Sequence, residues 1–337
     1  MPIITFIAAA LTAPLQANAF CDLPQNYLET ITDLRLAGDV DDAHEAATGI
    51  LECTLEPTER VDLLVELAKI EDRIGLHQNT RPVTAAREAL DQAEAYAVRI
   101  GGASLAAVTL ARADYHYRAE MSERKFSLAE AATKDAITMF EALGDKHGQA
   151  DAVHRLGLIH FQRRANDPET ELATASELYD QSLVLDKEGG ARKLFCGEYG
   201  RHVGYIYYVR NEYEEAIPHF ENSLSCRVEA GAIDAAMFAA QTLGSTLVQA
   251  DRAEEALAPL LYGLLVSSRI NSPVGKARIS VTLGDMYVEL DQPGKARMAY
   301  QVGLKAAEQV NYSGYANAAR EALSRLDDEA EAETPTP

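Results

Sequence analysis

Residues 203–224 read VGYIYYVRNEYEEAIPHFENSL, and the same frame returns at 243–264 (LGSTLVQADRAEEALAPLLYGL) and at 283–304 (LGDMYVELDQPGKARMAYQVGL). Gly204, Gly244 and Gly284 stand 40 residues apart, and 12 residues after them come Ala216, Ala256 and Ala296. Four residues later follow Phe220, Leu260 and Tyr300, and four later again Leu224, Leu264 and Leu304. Small residues at fixed positions let two helix backbones approach closely, while the large apolar positions make a stripe that one hairpin cannot cover alone.

The frame continues upstream through Ala68 to Ala86, Ala111 to Ala129 and Gly157 to Ala175, each pair 18 residues apart, so these hairpins carry six extra residues between their landmarks. Seven residues after each second-helix alanine stands Ala93, Ala136, Ser182, Ser223, Gly263 or Gly303, all small. Gly101, Gly144, Gly190 and Gly231 each fall 15 residues after their second-helix alanine, where a glycine takes the left-handed conformation that ends a helix. The pattern predicts an all-α chain, an α-solenoid of antiparallel helix hairpins, because each hairpin needs the next to cover its stripe.

Composition narrows the partners. The chain has 337 residues, 47% of them hydrophobic and 25% charged, the balance of a folded protein. Its net charge of -21 argues against nucleic acid and anionic lipid, which are bound by clustered positive charge. After the N-terminus no apolar run reaches the roughly 20 residues that a membrane span needs. Residues 1–19 carry no charged side chain, run apolar up to Pro14 and reach Ala17-Asn18-Ala19, a small-x-small cleavage pattern. They read as a signal peptide cut after Ala19 and address the protein to the periplasm or outside the cell, although no Lys or Arg precedes the apolar run. A lipoprotein reading of Cys21 fits less well, because Phe20 stands where a small residue is normal. The repeats then occupy 20–326. Residues 327–337 hold five acids, two prolines and no large apolar side chain, and read as a disordered acidic tail.

Four cysteines in an exported chain invite pairing. Helices over 194–209 and 212–228 turn near Asn211, and Cys196 and Cys226 each lie 15 residues from it, about 22 Å along their helices, at the open end of one hairpin. Cys21 and Cys53 flank another candidate hairpin, more loosely. The alternative is four buried thiols. Neither pair has metal-ligand or C-x-x-C spacing.

These residues resemble the tetratricopeptide repeat, whose pattern runs W-x2-L-G-x2-Y, then A-x3-F, then Pro. Leu283-Gly284, Tyr287, Ala296 and Tyr300 match it, as do Gly204, Tyr207, Ala216 and Phe220. The resemblance spans roughly 22–311 in about seven hairpins, with a capping helix over 315–326. The Trp and the closing Pro are absent, and units run 40 to 47 residues. The resemblance implies a right-handed α-solenoid, a scaffold that binds a protein or peptide partner on the concave face lined by first helices. Carried across by register, the groove would hold Tyr115, Phe161 and Tyr208 at one equivalent site, with Tyr205, Arg112 and Asp285 one residue after the crossing position and His154 and Arg201 three before it. Rings with Arg and His neighbours suit an extended peptide. An aromatic at helical spacing is also the ordinary mark of a core.

No P-loop, G-x-S-x-G or H-E-x-x-H motif occurs, and the eight His lack metal-ligand spacing, so neither an enzyme nor a cofactor or metal is expected. The leading reading is an exported scaffold. A cytosolic sensor or regulator using the same groove is the alternative, and a small-molecule binder or enzyme follows behind. The intact mass of the native product should correspond to a chain beginning at Phe20; a mass that retains residues 1–19 contradicts export by this signal.

Overall fold

The structure, a computed structural model, describes Cys21 and residues 23–333; the segment expected to be a signal, 1–19, lies outside these residues. The described residues form fifteen α-helices and no strand. They fall into two compact units, one made of residues through Gly75 with Arg81–Phe195, the other of Leu76–Thr80 with the chain from Cys196 on.

The first unit carries α1 (Tyr27–Ala37), α2 (Val40–Leu51), most of α3 (Pro57–Gln78), α4 (Thr84–Ile100), α5 (Gly102–Ala119), α6 (Ser127–Leu143), α7 (Lys146–Arg163) and α8 (Pro168–Gly189). Consecutive helices pair as antiparallel hairpins, and α5 also touches α7, so successive first helices stand side by side. Asp145 and Asp167 cap α7 and α8 by accepting from the backbone N–H of Gly148 and Thr170. Gly157 marks the crossing of that hairpin, where an added Cβ would come within 2.7 Å of the Tyr179 ring.

The second unit carries α9 (Lys193–Tyr208) almost whole, then α10 (Tyr213–Glu229), α11 (Ile233–Gln249), α12 (Ala253–Arg269), α13 (Pro273–Glu289), α14 (Pro293–Gln309) and the closing helix α15 (Ser313–Glu333). Helices α10 to α14 are each 17 residues long and begin every 20 residues. The turns repeat with them: Asn211, Gly231, Asp251, Asn271, Asp291 and Asn311 all have φ between 49° and 69°. Asn and Asp tolerate the left-handed region better than other non-glycine residues, so they do at five turns what Gly231 does at one.

Within each hairpin the crossing glycine lies against the second helix. A Cβ on Gly204 would come within 2.7 Å of the Phe220 ring, one on Gly244 within 2.5 Å of Leu260, and one on Gly284 would collide with Tyr300. Phe220, Leu260, Leu243, Leu283 and Met286 form the core of this unit with Met237 and Phe238. First helices again stand together, α11 against α13 and α13 against α15.

Both expected cysteine pairs are present. Cys21–Cys53 ties the segment before α1 to the end of α2, and Cys196–Cys226 joins α9 to α10, with Cα–Cα distances of 5.7 and 5.9 Å. Helix α15 runs on to Glu333, past Leu326, so part of the stretch expected to be disordered is helical. Its Ala/Glu-rich sequence favours helix, and Asp327 is held by Arg297 Nη1 at 2.6 Å.

Closing a loop of 30 residues at Cys196–Cys226 is worth about 3 to 4 kcal/mol in the chain-entropy account. The Cys196→Ser/Cys226→Ser variant should therefore unfold at a clearly lower urea concentration than the parent; an unchanged midpoint would contradict a stabilising role for this bond.

Candidate functional site

The first helices of the second unit bring a connected set of rings, amides and guanidinium groups to one layer. On α9, the Arg201 guanidinium lies over the Tyr205 ring at 5.3 Å, and Tyr205 meets Phe220 edge to face, with centroids 5.3 Å apart. The Tyr205 hydroxyl is 3.1 Å from Thr242 Oγ1 on α11. Also on α11, Gln241 Nε2 donates to Thr282 Oγ1 of α13 at 3.2 Å, and Gln241 Oε1 accepts from Arg278 Nη2 of α13 at 2.8 Å. The Arg278 guanidinium lies 5.2 Å from the centre of the Phe238 ring and 5.9 Å from that of Tyr315 on α15. Tyr312 stands against Tyr315, centroids 4.9 Å apart. Phe238, Gln241, Thr242 and Thr282 are buried, while Arg278, Tyr205, Tyr312 and Tyr315 keep part of their surface exposed.

The five-residue segment Leu76–Thr80 belongs to this unit too. His77 is buried, its ring parallel to that of Phe238 at 6.3 Å, its Nδ1 2.9 Å from Ser272 Oγ and its Nε2 3.8 Å from Asp234 Oδ2. Phe238 is thus stacked by His77 as well as by Arg278.

Of the groove residues expected from register, Arg201 and Tyr205 belong to this layer. Tyr208 is next to it, half-buried against the core, with Tyr205 at 6.3 Å and Tyr213 at 5.3 Å, both edge to face. Tyr115 and Phe161 belong to the first unit, so the expected ladder is divided between the two units. Tyr115 packs on the cluster around Leu63 and Leu90, and Phe161 is buried with the Arg164 guanidinium 4.1 Å from its centre. Arg112 is committed to α4, with Nη1 2.8 Å from Asp91 and Nη2 2.7 Å from Glu94. His154 is buried between Tyr179 and Phe195, at 4.9 and 5.4 Å. Asp285 accepts a 2.7 Å hydrogen bond from the Tyr300 hydroxyl and lines an open pocket of about 390 Å³ with Glu289, Arg325 and Glu329. These five expected residues, Tyr115, Phe161, Arg112, His154 and Asp285, serve contacts within their own units apart from the ring and guanidinium layer.

Phe238, Gln241 and Arg278 were not among the expected positions, though the register reaches them. Gln241 stands three residues before Gly244, as His154 and Arg201 stand before Gly157 and Gly204; Phe238 and Arg278 stand six before Gly244 and Gly284. Among the described residues no group of three or more His, Cys, Asp or Glu side chains is gathered as a metal site, and no helix is long and apolar enough to cross a membrane.

Burial alone would push the Tyr205 phenol up. The positive charges of Arg201 and Arg278, with hydrogen bonds from Thr242 and Arg201, outweigh it and bring the pKa down to about 8. The folded value lies below the ordinary value of about 10, so between these limits the folded chain binds fewer protons than the unfolded one. Stability from this group therefore rises with pH across that window and is lost as pH falls through about 8. Tyrosinate absorbance should show one phenol titrating near pH 8, absent in Tyr205→Phe and moved upward in Arg278→Gln; if no phenol ionises before the ordinary tyrosine range, the two charges do not act on Tyr205.

No protein-family model matches this sequence. No curated protein matches it either. Solved structures do. A Rap protein complexed with competence and sporulation factor has a TM-score of 0.60 at 16% identity, over 91% of this chain and 86% of that one. A Rap conjugation gene regulator in complex with a peptide gives 0.53 at 11% identity, over 93% and 98%. A signal-transduction ATPase with a tetratricopeptide repeat sensor from Pyrococcus horikoshii gives 0.53 at 15%, over 98% of this chain and 53% of that one. At such identities the likeness is one of fold, and the fold is that of the tetratricopeptide-like helical repeats.

Proposed function

We propose that the protein is an exported repeat scaffold that takes a peptide, or a peptide-like segment of a partner protein, along the first-helix layer of its second unit. The observation that carries this reading is the layer itself, where partly exposed rings at Tyr205, Tyr312 and Tyr315 surround amide and guanidinium groups already oriented by one another. Rings give contact area at low entropic cost, and fixed donors supply direction. Two structures with the same fold are complexes, one with competence and sporulation factor and one with a peptide, which favours the same use of the fold here.

Export is supported by the pairing of all four cysteines, since disulfides persist in oxidising compartments. The uncharged apolar start of the sequence agrees with it. The reading is of a binding protein and not of an enzyme: the side chains of the layer orient one another and offer donors and rings, the equipment of recognition.

A photo-crosslinking amino acid placed at Tyr208, beside the layer, should capture a partner from the compartment in which the native protein resides, whereas the same group at Leu265, 71% exposed on the second helix α12, should capture little. Equal capture from both positions, or capture from Leu265 alone, would overturn the assignment of this face.

A further inference from the structure

Arg278 differs from the many arginines of this acidic chain that pair with carboxylates. Arg112, Arg192 and Arg252 each hold two carboxylates, and Arg81 and Arg118 share Asp72. The contacts of Arg278 are a neutral amide oxygen and two aromatic faces. Among the described residues no carboxylate oxygen lies within ion-pair distance of it, and its buried Nε–H has no hydrogen-bond partner. Asp234, on the neighbouring α11, faces His77 instead.

A guanidinium has five N–H donors in a planar fork that matches a carboxylate. Here one Nη2–H is spent on Gln241, and the guanidinium lies 5.2 and 5.9 Å from the ring centres of Phe238 and Tyr315, so the fork is oriented before any ligand arrives. Resting on the peptide-binding reading above, we infer that Arg278 is the acid-recognising position of this face, and that the peptide it takes carries an Asp or Glu side chain there. An internal side chain fits better than a free C-terminus, because rings lie on both sides of α13. Tyr205 stands on α9, and Tyr312 and Tyr315 at the start of α15, all three partly exposed. A bound chain therefore has apolar contacts to make both before and after the acid.

The test uses the full chain with its disulfides intact and random dodecamer peptides displayed between flanking protein sequence, so that neither peptide terminus is free. Parent protein should enrich sequences with Asp or Glu fixed at one position and apolar residues on either side. Arg278→Gln should keep the apolar preference and lose the acidic one. For a synthetic peptide taken from that selection, Asp→Asn in the peptide and Arg278→Gln in the protein should each weaken binding about tenfold to a hundredfold, and the two together no more than either alone. Arg278→Lys should recover part of the loss, and circular dichroism should show the same helical content in all variants. Peptides enriched without an acidic position, or an acidic preference that survives in Arg278→Gln, would overturn the inference while leaving the binding face in place. Enrichment of no peptide at all would overturn both. Preference only for peptides with a free C-terminal carboxylate, in a parallel display that exposes that end, would overturn the choice of an internal acid.

Discussion

The architecture of the second unit depends on one close approach, repeated: a glycine on the first helix of each hairpin against a large side chain on the second. Gly204 faces Phe220, Gly244 faces Leu260 and Gly284 faces Tyr300, with no room for a Cβ between them. Interiors are close-packed, so an added methyl at such a place forces neighbours from their rotamers at about 1 to 3 kcal/mol. The glycines sink the first helices onto the second ones and leave the other side of each first helix for its counterpart in the next hairpin. The contacts of α11 with α13 and of α13 with α15 follow. Tyr205 can then reach Thr242, and Arg278 can reach Gln241, without long loops or distant segments.

Arginines do two kinds of work, pairing with carboxylates and lying over rings, and Arg155 and Arg192 of the first unit do both. In that unit, Arg192 bridges Asp151 and Asp186, Arg155 meets Asp114, and Arg163 meets Glu130 at 2.5 Å. Such pairs fix helix against helix, and where they are exposed they add little to stability. In the second unit, the guanidinium groups of Arg201 and Arg278 lie against aromatic faces, and the charge they bring is felt by the Tyr205 phenol. Arginine suits this place because it stays charged and tolerates partial burial better than lysine.

Much of the fold is legible in the sequence because its determinants are local and repeat. The 40-residue spacing of Gly204, Gly244 and Gly284 reports a packing constraint that no other residue type meets as well. The Cys196–Cys226 pair is legible because two residues equally far from a hairpin turn must lie side by side, and Cys21–Cys53 is less so because its two residues are unequally spaced from theirs. The 20-residue turn period is less visible: three residue types, Asn, Asp and Gly, perform one conformational task, so the letters change while the backbone repeats. The helical extension of α15 past Leu326 was hidden because acidic composition reads as solvation, while the Ala and Glu content favours helix. The candidate layer was legible only in part. Register named Arg201 and Tyr205, which lie in the layer, but it could not tell which equivalent positions find partners within the hairpin, as His154 does in Tyr179 and Asp285 in Tyr300. That depends on the neighbouring helix, which the letters of one repeat do not specify. Phe238 and Arg278 lie a turn and a half before the crossing glycines, where a stack between successive first helices has no counterpart in the repeat pattern.

The central claim is that recognition takes place on first helices of the second unit. Amide hydrogen exchange, followed along the chain with and without a selected peptide at saturating concentration, tests this most directly. The account predicts slowed exchange confined to α9, α11, α13 and the start of α15, around Tyr205, Gln241, Arg278 and Tyr315. Protection centred on the second helices α10, α12 and α14, or on the pocket beside Asp285, would contradict it.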